Sequence, residues 1–348
     1  MALQFSPVQP SEESEIIAFL LRSFDGEPGA ISFRPDVIHW KYFSSHPDWN
    51  GPRSFAMRKD DRIAAYGGVW PVQLATASSQ LMAIHLVDWA ADRTVPGAGV
   101  HLVRKLAGMA YPLLTIGGSR DTRIILPKIG YTQIGDFKRY ARVVRPWLQV
   151  RSTPHHNWKA PLRLLRNITW ALPSLPSPPD GWHSLRISAF DSSMDKLLMQ
   201  KVTTGFASST RTWAGLNHLL ACPAAKFSAF VISESQEPRG YFVLSQIGHQ
   251  SRIVDIQVNL ESADAWQAAY GVAAWTAAQD HSVCEIVAGT SVEPTNRALV
   301  QLGFHVRRIE PIYFCDPRGV LRPASSLRLN LADGDGCFRS NPAFPYLT

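Results

Sequence analysis

The sequence predicts two copies of one α/β fold, each built around a mixed β-sheet. A chain of 348 residues is long enough for two domains of about 150 residues each. Two landmarks recur at one distance: Gly130-Tyr131 precedes Gly303-Phe304 by 303 − 130 = 173 residues, and Trp40 precedes Trp213 by 213 − 40 = 173. Both halves also show the same order of apolar patterns, which is the signature of an internal repeat.

In the first half, the patterns predict a helix that begins with Ser11 as its N-cap, because acidic residues follow at once. A longer helix is expected after Gly99, with Val103, Leu106, Ala107 and Ala110 on one face. A third helix is expected near 122–128. Runs of apolar residues predict strands at 3–8, 54–57, 63–69, 81–87, 113–116 and 138–144.

The second half repeats this order. A helix is expected after Asp191, and a central helix carries Trp266, Ala269, Tyr270 and Ala273 at amphipathic spacing. The segment 294–317 then reads as a short helix, the Gly–aromatic pair and a strand, as 121–146 does in the first half. The other predicted strands are 184–187, 227–232, 240–245 and 253–258.

A proline-rich connector separates the halves. Periodic patterning weakens after Pro146, and prolines cluster before Gly181. We therefore expect an N-terminal domain at 1–145, a linker at 146–183 with one short helix around 162–170, a C-terminal domain at 184–320, and a strand and tail at 321–348. The pair His155-His156 is interpreted as a loop and not as a metal site, because no carboxylate or cysteine is spaced to join it.

Composition excludes several classes of protein. No run of about 18 apolar residues is present, so no transmembrane helix is expected, and the N-terminus lacks a signal-peptide layout. The four cysteines are scattered, which fits a reducing cytoplasm and argues against a structural metal. The formal charge of +7 is dispersed, which favours an anionic small ligand over a nucleic acid.

Three features together resemble the GNAT acyltransferase superfamily: the order of elements, a glycine loop between a strand and a long helix, and the ending in helix, Gly–aromatic pair and strand. Two copies in tandem resemble bipartite members such as mycothiol synthase and the Fem-type peptidyltransferases. The resemblance covers about residues 1–145 and 184–320. It implies mostly antiparallel sheets flanked by helices, and an N-acyltransferase that uses acetyl-CoA or another acyl-CoA as co-substrate.

The family's cofactor loop reads Gln/Arg-x-x-Gly-x-Gly/Ala, and the corresponding residues here are Thr94-Val95-Pro96-Gly97-Ala98-Gly99. Both glycines are present, whereas Thr94 replaces the first residue of the motif and Arg93 lies beside it. Glycines let backbone amides approach a pyrophosphate, and a helix N-terminus favours its charge. The alternative is a turn that only connects strand to helix. By spacing, Ser119 lies nearest to the family's asparagine at the last helix. The resemblance implies cofactor contacts from Trp89, Ala90, Arg93, Thr94, Gly97, Ala98, Gly99, Val100 and Ser119.

The second half lacks these glycines. Glu261 and Asp264 stand where phosphates would dock, and their charges would repel them. Since both halves keep the fold and only one keeps the glycines, we expect Gly97 and Gly99 to serve a ligand. The second half is expected to act as scaffold or substrate wall.

Acyl transfer to an amine needs a base, an oxyanion donor and an acid for the leaving thiolate. In the family, a carboxylate on the strand before the loop is often the base, which implies Asp88 here and His85 as second choice. The family's acid is a tyrosine four residues before the Gly–aromatic pair, but Leu126 and Leu299 occupy these positions. Another residue or water then protonates the thiolate, or the first half is not catalytic.

Other features leave the acceptor open. Trp40 and Trp213 either line an acceptor groove or, as the favoured interpretation, seal the sheet. Asp333 and Asp335 are interpreted as a polar turn and not as a cation site. A loose similarity to proteins of surface-polysaccharide synthesis favours a saccharide or other small-molecule amine. The competing hypotheses are a non-catalytic acyl-CoA-binding or scaffold protein, and a Fem-like aminoacyltransferase, for which no long helical arm is visible.

Overall fold

The computed structural model describes residues 3–27, 29–77, 79–109, 111–154, 158–198, 206–260, 262–319, 321 and 326–348. One mixed, mostly antiparallel sheet runs through this part of the chain, and helices flank it. The predicted fold class is therefore confirmed. None of the described helices combines the length and hydropathy needed to span a membrane.

The first half contains the predicted strands and the three predicted helices. Its elements are β1 (Gln4–Pro7), α1 (Glu13–Ser23), α2 (Pro35–Tyr42), β2 (Ser54–Lys59), β3 (Arg62–Ala75), β4 (Gln80–Ala91), α3 (Ala98–Ala107), β5 (Leu113–Ile116), α4 (Arg120–Lys128) and β6 (Thr132–Val143). Helix α1 begins later than predicted, because residues 10–12 form a 3-10 turn after Gln9 and Ser11 lies inside it. Helix α2 was not predicted.

The linker holds α5 (Pro146–Ser152) and α6 (Ala160–Ala171), and only α6 was predicted. The second half consists of β7 (Trp182–Ile187), α7 (Asp195–Leu198), β8 (Phe206–Thr210), α8 (Trp213–Leu220), β9 (Lys226–Glu234), β10 (Glu237–Ile247), β11 (Gln250–Val258), α9 (Ala263–Gln279), β12 (Glu285–Thr290), α10 (Glu293–Gln301), β13 (His305–Cys315) and β14 (Ser326–Arg328). The pair His155-His156, with Ala110 of the first half, lies outside the described residues.

The Gly–aromatic turn has the same geometry in both halves. Gly130 (φ +96°) and Gly303 (φ +75°) are left-handed, a region that glycine enters without steric cost. In each turn, the amide of the following aromatic residue bonds the carbonyl five residues back, Tyr131 to Leu126 and Phe304 to Leu299. This is the pattern that ends a helix at a left-handed glycine.

The two tryptophans that share the same spacing differ in environment. Trp40 is buried inside α2, and its indole N–H donates to the carbonyl of His218 at 3.2 Å. Trp213 is the first residue of α8 and is 41% exposed. The shared spacing therefore does not correspond to a shared environment.

The two halves exchange their last strands. The sheet order is β1-β2-β3-β4-β5-β13-β6-β12-β11-β10-β9-β7, so β13 of the second half lies beside β5 of the first. Strand β6 pairs with β13 and β12, both from the second half. A further link joins β8 to β3. The halves are thus hydrogen-bonded into one sheet.

Alternation along the strands gives the first half two packed faces. On β2, Phe55 and Met57 pack with α3, whereas Ala56 between them packs with α1 and α2. Burying a large apolar side chain contributes about 1.5–3 kcal/mol, and α3 buries Leu102 and Leu106 in this way. The sheet therefore separates a face covered by α3 from a face covered by α1 and α2, and any site that crosses it must use a gap between strands.

Candidate functional site

Such a gap opens between β4 and β5. These parallel strands pair only at Ile84–Leu113 and His85–Leu114, although β4 continues to Ala91 and β5 to Ile116. Beyond the pair His85–Leu114 the backbones separate. Donor and acceptor groups of both strands therefore line a cleft in the middle of the sheet.

His85 bridges the base of this cleft. Its Nδ1 donates to the carbonyl of Asp333 at 2.7 Å, and its Nε2 accepts from the amide of Ile116 at 3.4 Å. Burial lowers its pKa, so the imidazole is neutral near pH 7. Both ring nitrogens are therefore engaged in hydrogen bonds, and the role of His85 as a base stays a prediction.

Asp88 lies further along the cleft in a β-bulge. Val87 pairs with Gly68 and Ala90 with Tyr66, so Asp88 and Trp89 together oppose the single residue Gly67. Asp88 has φ +49°, a left-handed conformation that costs a non-glycine residue about 1–2 kcal/mol. Bulges of this kind re-aim side chains and are frequent next to active sites.

The carboxylate of Asp88 is held by two residues of α2. Lys41 Nζ and Tyr42 OH both donate to Oδ2, the hydroxyl at 2.6 Å. Lys41 is fully buried and the Asp88 side chain is 6% exposed. Burial and the charge of Asp88 raise the pKa of Tyr42 well above its ordinary value. The sequence prediction missed both residues because it missed α2.

The C-terminal segment adds further charges beside this pair. Asp335 lies near Arg339, with 3.8 Å between Oδ2 and Nη1. Burial by itself raises the pKa of Asp335, but the charges of Arg339 and Lys41 hold it below its ordinary value. Gly334 packs on the ring of His85 so closely that a Cβ there would lie 2.7 Å from it. Residues 333–339 therefore form one wall of the site.

Asp333 and Asp335, interpreted as a polar turn, lie in two successive 3-10 turns, Leu331–Asp333 and Asp335–Cys337, and Asp333 is buried. Asp333 has no exposed side-chain surface, and its Oδ1 accepts from Arg211 Nη2 at 2.7 Å. Arg211 also pairs with Asp255 at 3.0 Å. No cluster of three or more metal-ligating side chains occurs in the described part of the chain. These carboxylates bind cationic side chains of the protein itself.

The predicted cofactor loop joins β4 to α3. Gly97 is the N-cap of α3 with φ +82°, and no acidic residue follows in the first turn. The first amides of a helix have no partner four residues back and carry the positive end of the dipole. The loop therefore presents an N-terminus that can bind an anion.

The fold itself also requires glycine at both positions of the loop. The comparison of the two halves of the sequence did not predict this requirement. Gly97 needs glycine for its positive φ. A Cβ on Gly99 would lie 3.1 Å from Cβ of Ala91 and 3.2 Å from Nε1 of Trp89, whose N–H donates to the Gly99 carbonyl at 3.2 Å. The glycines permit ligand binding without proving it.

Six of the remaining predicted contacts fall into two groups. Trp89, Ala90, Ala98 and Val100 gather where β4 meets α3, and Ala90 and Ala98 are buried. Arg93 and Thr94 are exposed in the loop, where the amide and hydroxyl of Thr94 donate to Asp92. Those bonds lower the pKa of Asp92.

Ser119 lies at the start of α4, after β5. Its Oγ accepts from the amide of Thr122 at 3.2 Å, so Ser119 is the N-cap of that helix. The hydroxyl therefore has a local structural role.

The corresponding helix of the second half is closed to anions. The side chain of Ser262 caps α9 by accepting from the amide of Ala265 at 3.1 Å, and Asp264 is exposed in the first turn. Glu261 lies outside the described residues. A capped, acidic first turn neutralises the helix dipole. In this respect α9 differs from α3, whose first turn has neither a side-chain cap nor an acidic residue.

The tyrosine missing from position 126 is not replaced nearby on α4. Leu126 is fully buried in the core. The hydroxyl of Tyr131 is buried without a hydrogen-bond partner among the described residues, and burial raises its pKa. A tyrosine with a raised pKa gives up its proton reluctantly, so Tyr131 is a poorer proton donor for a thiolate than an ordinary tyrosine.

A small cavity lies on the α2 face, between the two halves. Its volume is about 40 Å³, and Trp40, Trp70, His46, His218 and Arg211 are among its lining residues. Trp40 stacks on His218 with 4.8 Å between ring centroids. Burial is the main cause that lowers the pKa of His46 to about 3 and of His218 to about 4. The cavity holds a few waters at most, so a sugar requires it to open.

Solved structures share this architecture. A GCN5-related N-acetyltransferase from Anabaena variabilis matches at TM-score 0.60 and 12% identity, over 90% of this chain and 72% of its own. Saccharomyces cerevisiae N-myristoyltransferase with bound myristoyl-CoA matches at a TM-score of 0.59 and 10% sequence identity, over 90% of this chain and 80% of its own. A conserved protein of unknown function from Enterococcus faecalis, a probable N-acyltransferase, matches at a TM-score of 0.58 and 13% sequence identity, over 93% of this chain and 75% of its own. No family model and no curated protein matches the sequence. The chain therefore has the GCN5-related N-acetyltransferase, or GNAT, fold.

Proposed function

We propose that the protein is an acyl-CoA-dependent N-acyltransferase, in the simplest case an N-acetyltransferase that uses acetyl-CoA. The observation that carries this proposal is the cleft between β4 and β5, which joins the uncapped N-terminus of α3 to the bulge at Asp88. The pyrophosphate lies on the first-turn amides at Gly99 and Val100. The pantetheine arm extends along the cleft, which brings the thioester to Asp88.

The chemistry follows from the groups around the bulge. Both hydrogen bonds from α2 go to Oδ2 of Asp88, and Oδ1 accepts none within the described residues, so Oδ1 takes the proton of the attacking amine, directly or through water. Backbone amides freed by the bulge stabilise the oxyanion of the tetrahedral intermediate. Its collapse breaks the C–S bond, and water protonates the coenzyme A thiolate. Lys41 and Tyr42 position the base.

The acceptor amine belongs on the α2 face, where Trp40, Trp70 and Arg211 line the cavity between the halves. Aromatic walls and a charged group suit a small molecule or a saccharide, including an intermediate of polysaccharide synthesis. In this proposal the first half, residues 1–145, binds the cofactor, and the second half, residues 184–320, forms the acceptor wall. The reaction takes place in the cytoplasm.

A second candidate function is a non-catalytic acyl-CoA-binding protein. Leu126 favours it, because a buried leucine replaces the family's proton donor. The fully buried Lys41 also favours it, because its ion pair occupies the carboxylate of Asp88, which catalysis would need as a base. The two functions share the ligand and differ in turnover.

Ligand binding can be tested through thermal stability with acetyl-CoA. A ligand at about 100 times its dissociation constant adds about 2.7 kcal/mol to the free energy of unfolding. Val100→Glu adds a charge in the first turn of α3 that favours the helix but repels phosphate. The matched control, Ala263→Glu, adds the same charge at the first turn of α9. We expect stabilisation of the wild type and the control, and none of Val100→Glu.

Two results decide between the functions. Release of free thiol from acetyl-CoA in the presence of candidate amines, lost in Asp88→Asn, supports the enzyme. Ligand stabilisation without thiol release for any amine supports the binding protein. The absence of any stabilisation in the wild type would overturn both.

A further inference from the structure

The linker between the halves carries a basic stretch of chain. From Phe137 to Pro179 the sequence has no Asp or Glu, whereas Asp136 and Asp180 flank it. Lys and Arg occur at five positions between 145 and 172, namely Arg145, Arg151, Lys159, Arg163 and Arg166. Residues 137–179 hold 8 of the 35 Lys and Arg residues, so the rest of the chain has 35 − 8 = 27 of them against all 28 Asp and Glu residues and is nearly balanced in charge. The surface of this segment is therefore positively charged.

Helix α6 presents two different stripes to solvent. Leu162 and Leu165 are each 62% exposed, and Leu172 just after the helix is 73% exposed. Their spacing of three and seven residues places them on one line along the helix. Trp158, before the helix, is 79% exposed. Exposed apolar residues grouped in this way mark an interaction site and not a random surface.

The second stripe of α6 is basic and borders a groove. Lys159, Arg163 and Arg166 follow each other at helical spacing and, with Arg307, line a groove of about 460 Å³ beside residues 346–348. The guanidinium of Arg166 lies 4.4 Å from the ring centroid of Trp170, and that of Arg307 lies 5.3 Å from it. Burial, and then the charges of Arg307 and Arg163, lower the pKa of Arg166. Cations are therefore concentrated here.

The helix is fixed to the protein through its third side. Asn167 is buried, and its Nδ2 donates to Oε1 of Gln149 on α5 at 2.7 Å. The partly buried Leu164 and Ile168 lie on this same side. The two outer stripes are thus presented on a supported helix.

We propose that α6 docks the protein on an anionic phospholipid surface, with Leu162, Leu165 and Leu172 entering the acyl boundary and the basic groove binding headgroup phosphates. Leucine and tryptophan beside Lys and Arg on one helix is the pattern of helices that lie in the membrane interface. Anionic lipid attracts each basic side chain near its surface. A nucleic acid would use the basic stripe and leave the leucines without a partner.

The experiment is cosedimentation of the full chain with vesicles. Vesicles of phosphatidylcholine alone are compared with vesicles of phosphatidylcholine and phosphatidylglycerol in equal parts. We expect binding only to the second kind, weakened by salt. Reversing two charges in Arg163→Glu/Arg166→Glu weakens binding by about 25-fold or more. Leu162→Gln/Leu165→Gln weakens it by about tenfold.

Matched controls lie on β7, where Leu185 is 65% exposed and Arg186 is exposed beside it. Leu185→Gln and Arg186→Glu should bind vesicles as the wild type does, and circular dichroism should show all variants folded. The proposal is overturned by equal binding to both vesicle types, by no binding, or by charge sensitivity without leucine sensitivity, the pattern expected for nucleic acid or free phosphate. A dimer that the leucine substitutions dissociate, without vesicle binding, overturns it as well.

Discussion

Replacing Lys41 by methionine should destabilise the protein strongly, although the two side chains have similar shapes. Lys41 is fully buried and pairs with a carboxylate that is 6% exposed. Removing one partner of a buried ion pair leaves the other charge uncompensated, at a cost of about 3–5 kcal/mol. Among the hydrogen bonds of the described residues, the 2.6 Å bond from Tyr42 is then the one that remains on the carboxylate of Asp88. With about 2.1 cal/mol/K of unfolding entropy per residue over 348 residues, the melting temperature falls by about 4–7 °C.

A double-mutant cycle gives the measurement. Asn is the matched replacement for Asp88, because it tolerates the left-handed φ of +49°. Urea unfolding of Lys41→Met, Asp88→Asn and the double variant should give a coupling of about 1–3 kcal/mol, with the double variant less destabilised than the sum of the two single ones. Additive effects, or a loss below about 0.5 kcal/mol for Lys41→Met, would refute the ion pair as the organiser of the site.

Two further predictions concern the cavity and the paired turns. The pKa of His46 lies at about 3 instead of its ordinary 6.5, so between these pH values the unfolded chain binds a proton that the folded chain does not. The contribution of the neutral His46 to the free energy of unfolding is therefore present above pH 6.5 and is lost as pH falls toward 3. Urea unfolding between pH 7 and 5 should show less pH dependence in His46→Gln than in the wild type, and the exposed His183→Gln should not differ from the wild type. At the Gly–aromatic turns, Gly303→Ala should destabilise more than Gly130→Ala, because a new Cβ at Gly303 overlaps Nη1 of Arg142 whereas at Gly130 its nearest neighbour is Cys315 Sγ at 3.9 Å; equal melting temperatures would contradict this.

Local patterns predicted most of the strands and the amphipathic helices, because alternation and helical spacing report which face of an element is buried. They did not predict α2. Five of its eight residues are buried, Lys41 among them, and only Pro35, Asp36 and His39 are exposed, so its polar face is too short to reveal a period. A lysine within "IHWKYF" was the one available signal, since a charge among aromatic residues needs a buried partner.

Local patterns also indicated only some of the residues that the structure gathers at the candidate site. Asp88 and the loop from Gly97 to Gly99 are close in sequence, and a motif can describe them. Asp335 and Arg339 reach the site from more than 240 residues away (335 − 88 = 247), and no local pattern specifies such a contact. The polar turn at Asp333 was predicted, but not its burial, because Asp333 is buried through its ion pair with Arg211, and a pairing of this kind is visible only in the folded chain.

The exchange of β6 and β13 has a consequence for how the protein is made. Strand β5 ends at Ile116, and on the side away from β4 it pairs with β13, which ends at Cys315. That side of β5 stays unpaired while 315 − 116 = 199 further residues are synthesised. At about 5–20 residues per second this takes roughly 10–40 s. Strand β6 waits as well, because both of its neighbours come later in the chain. The nascent first half therefore exposes an unpaired β-edge, a template for pairing with other chains, until the second half has been synthesised.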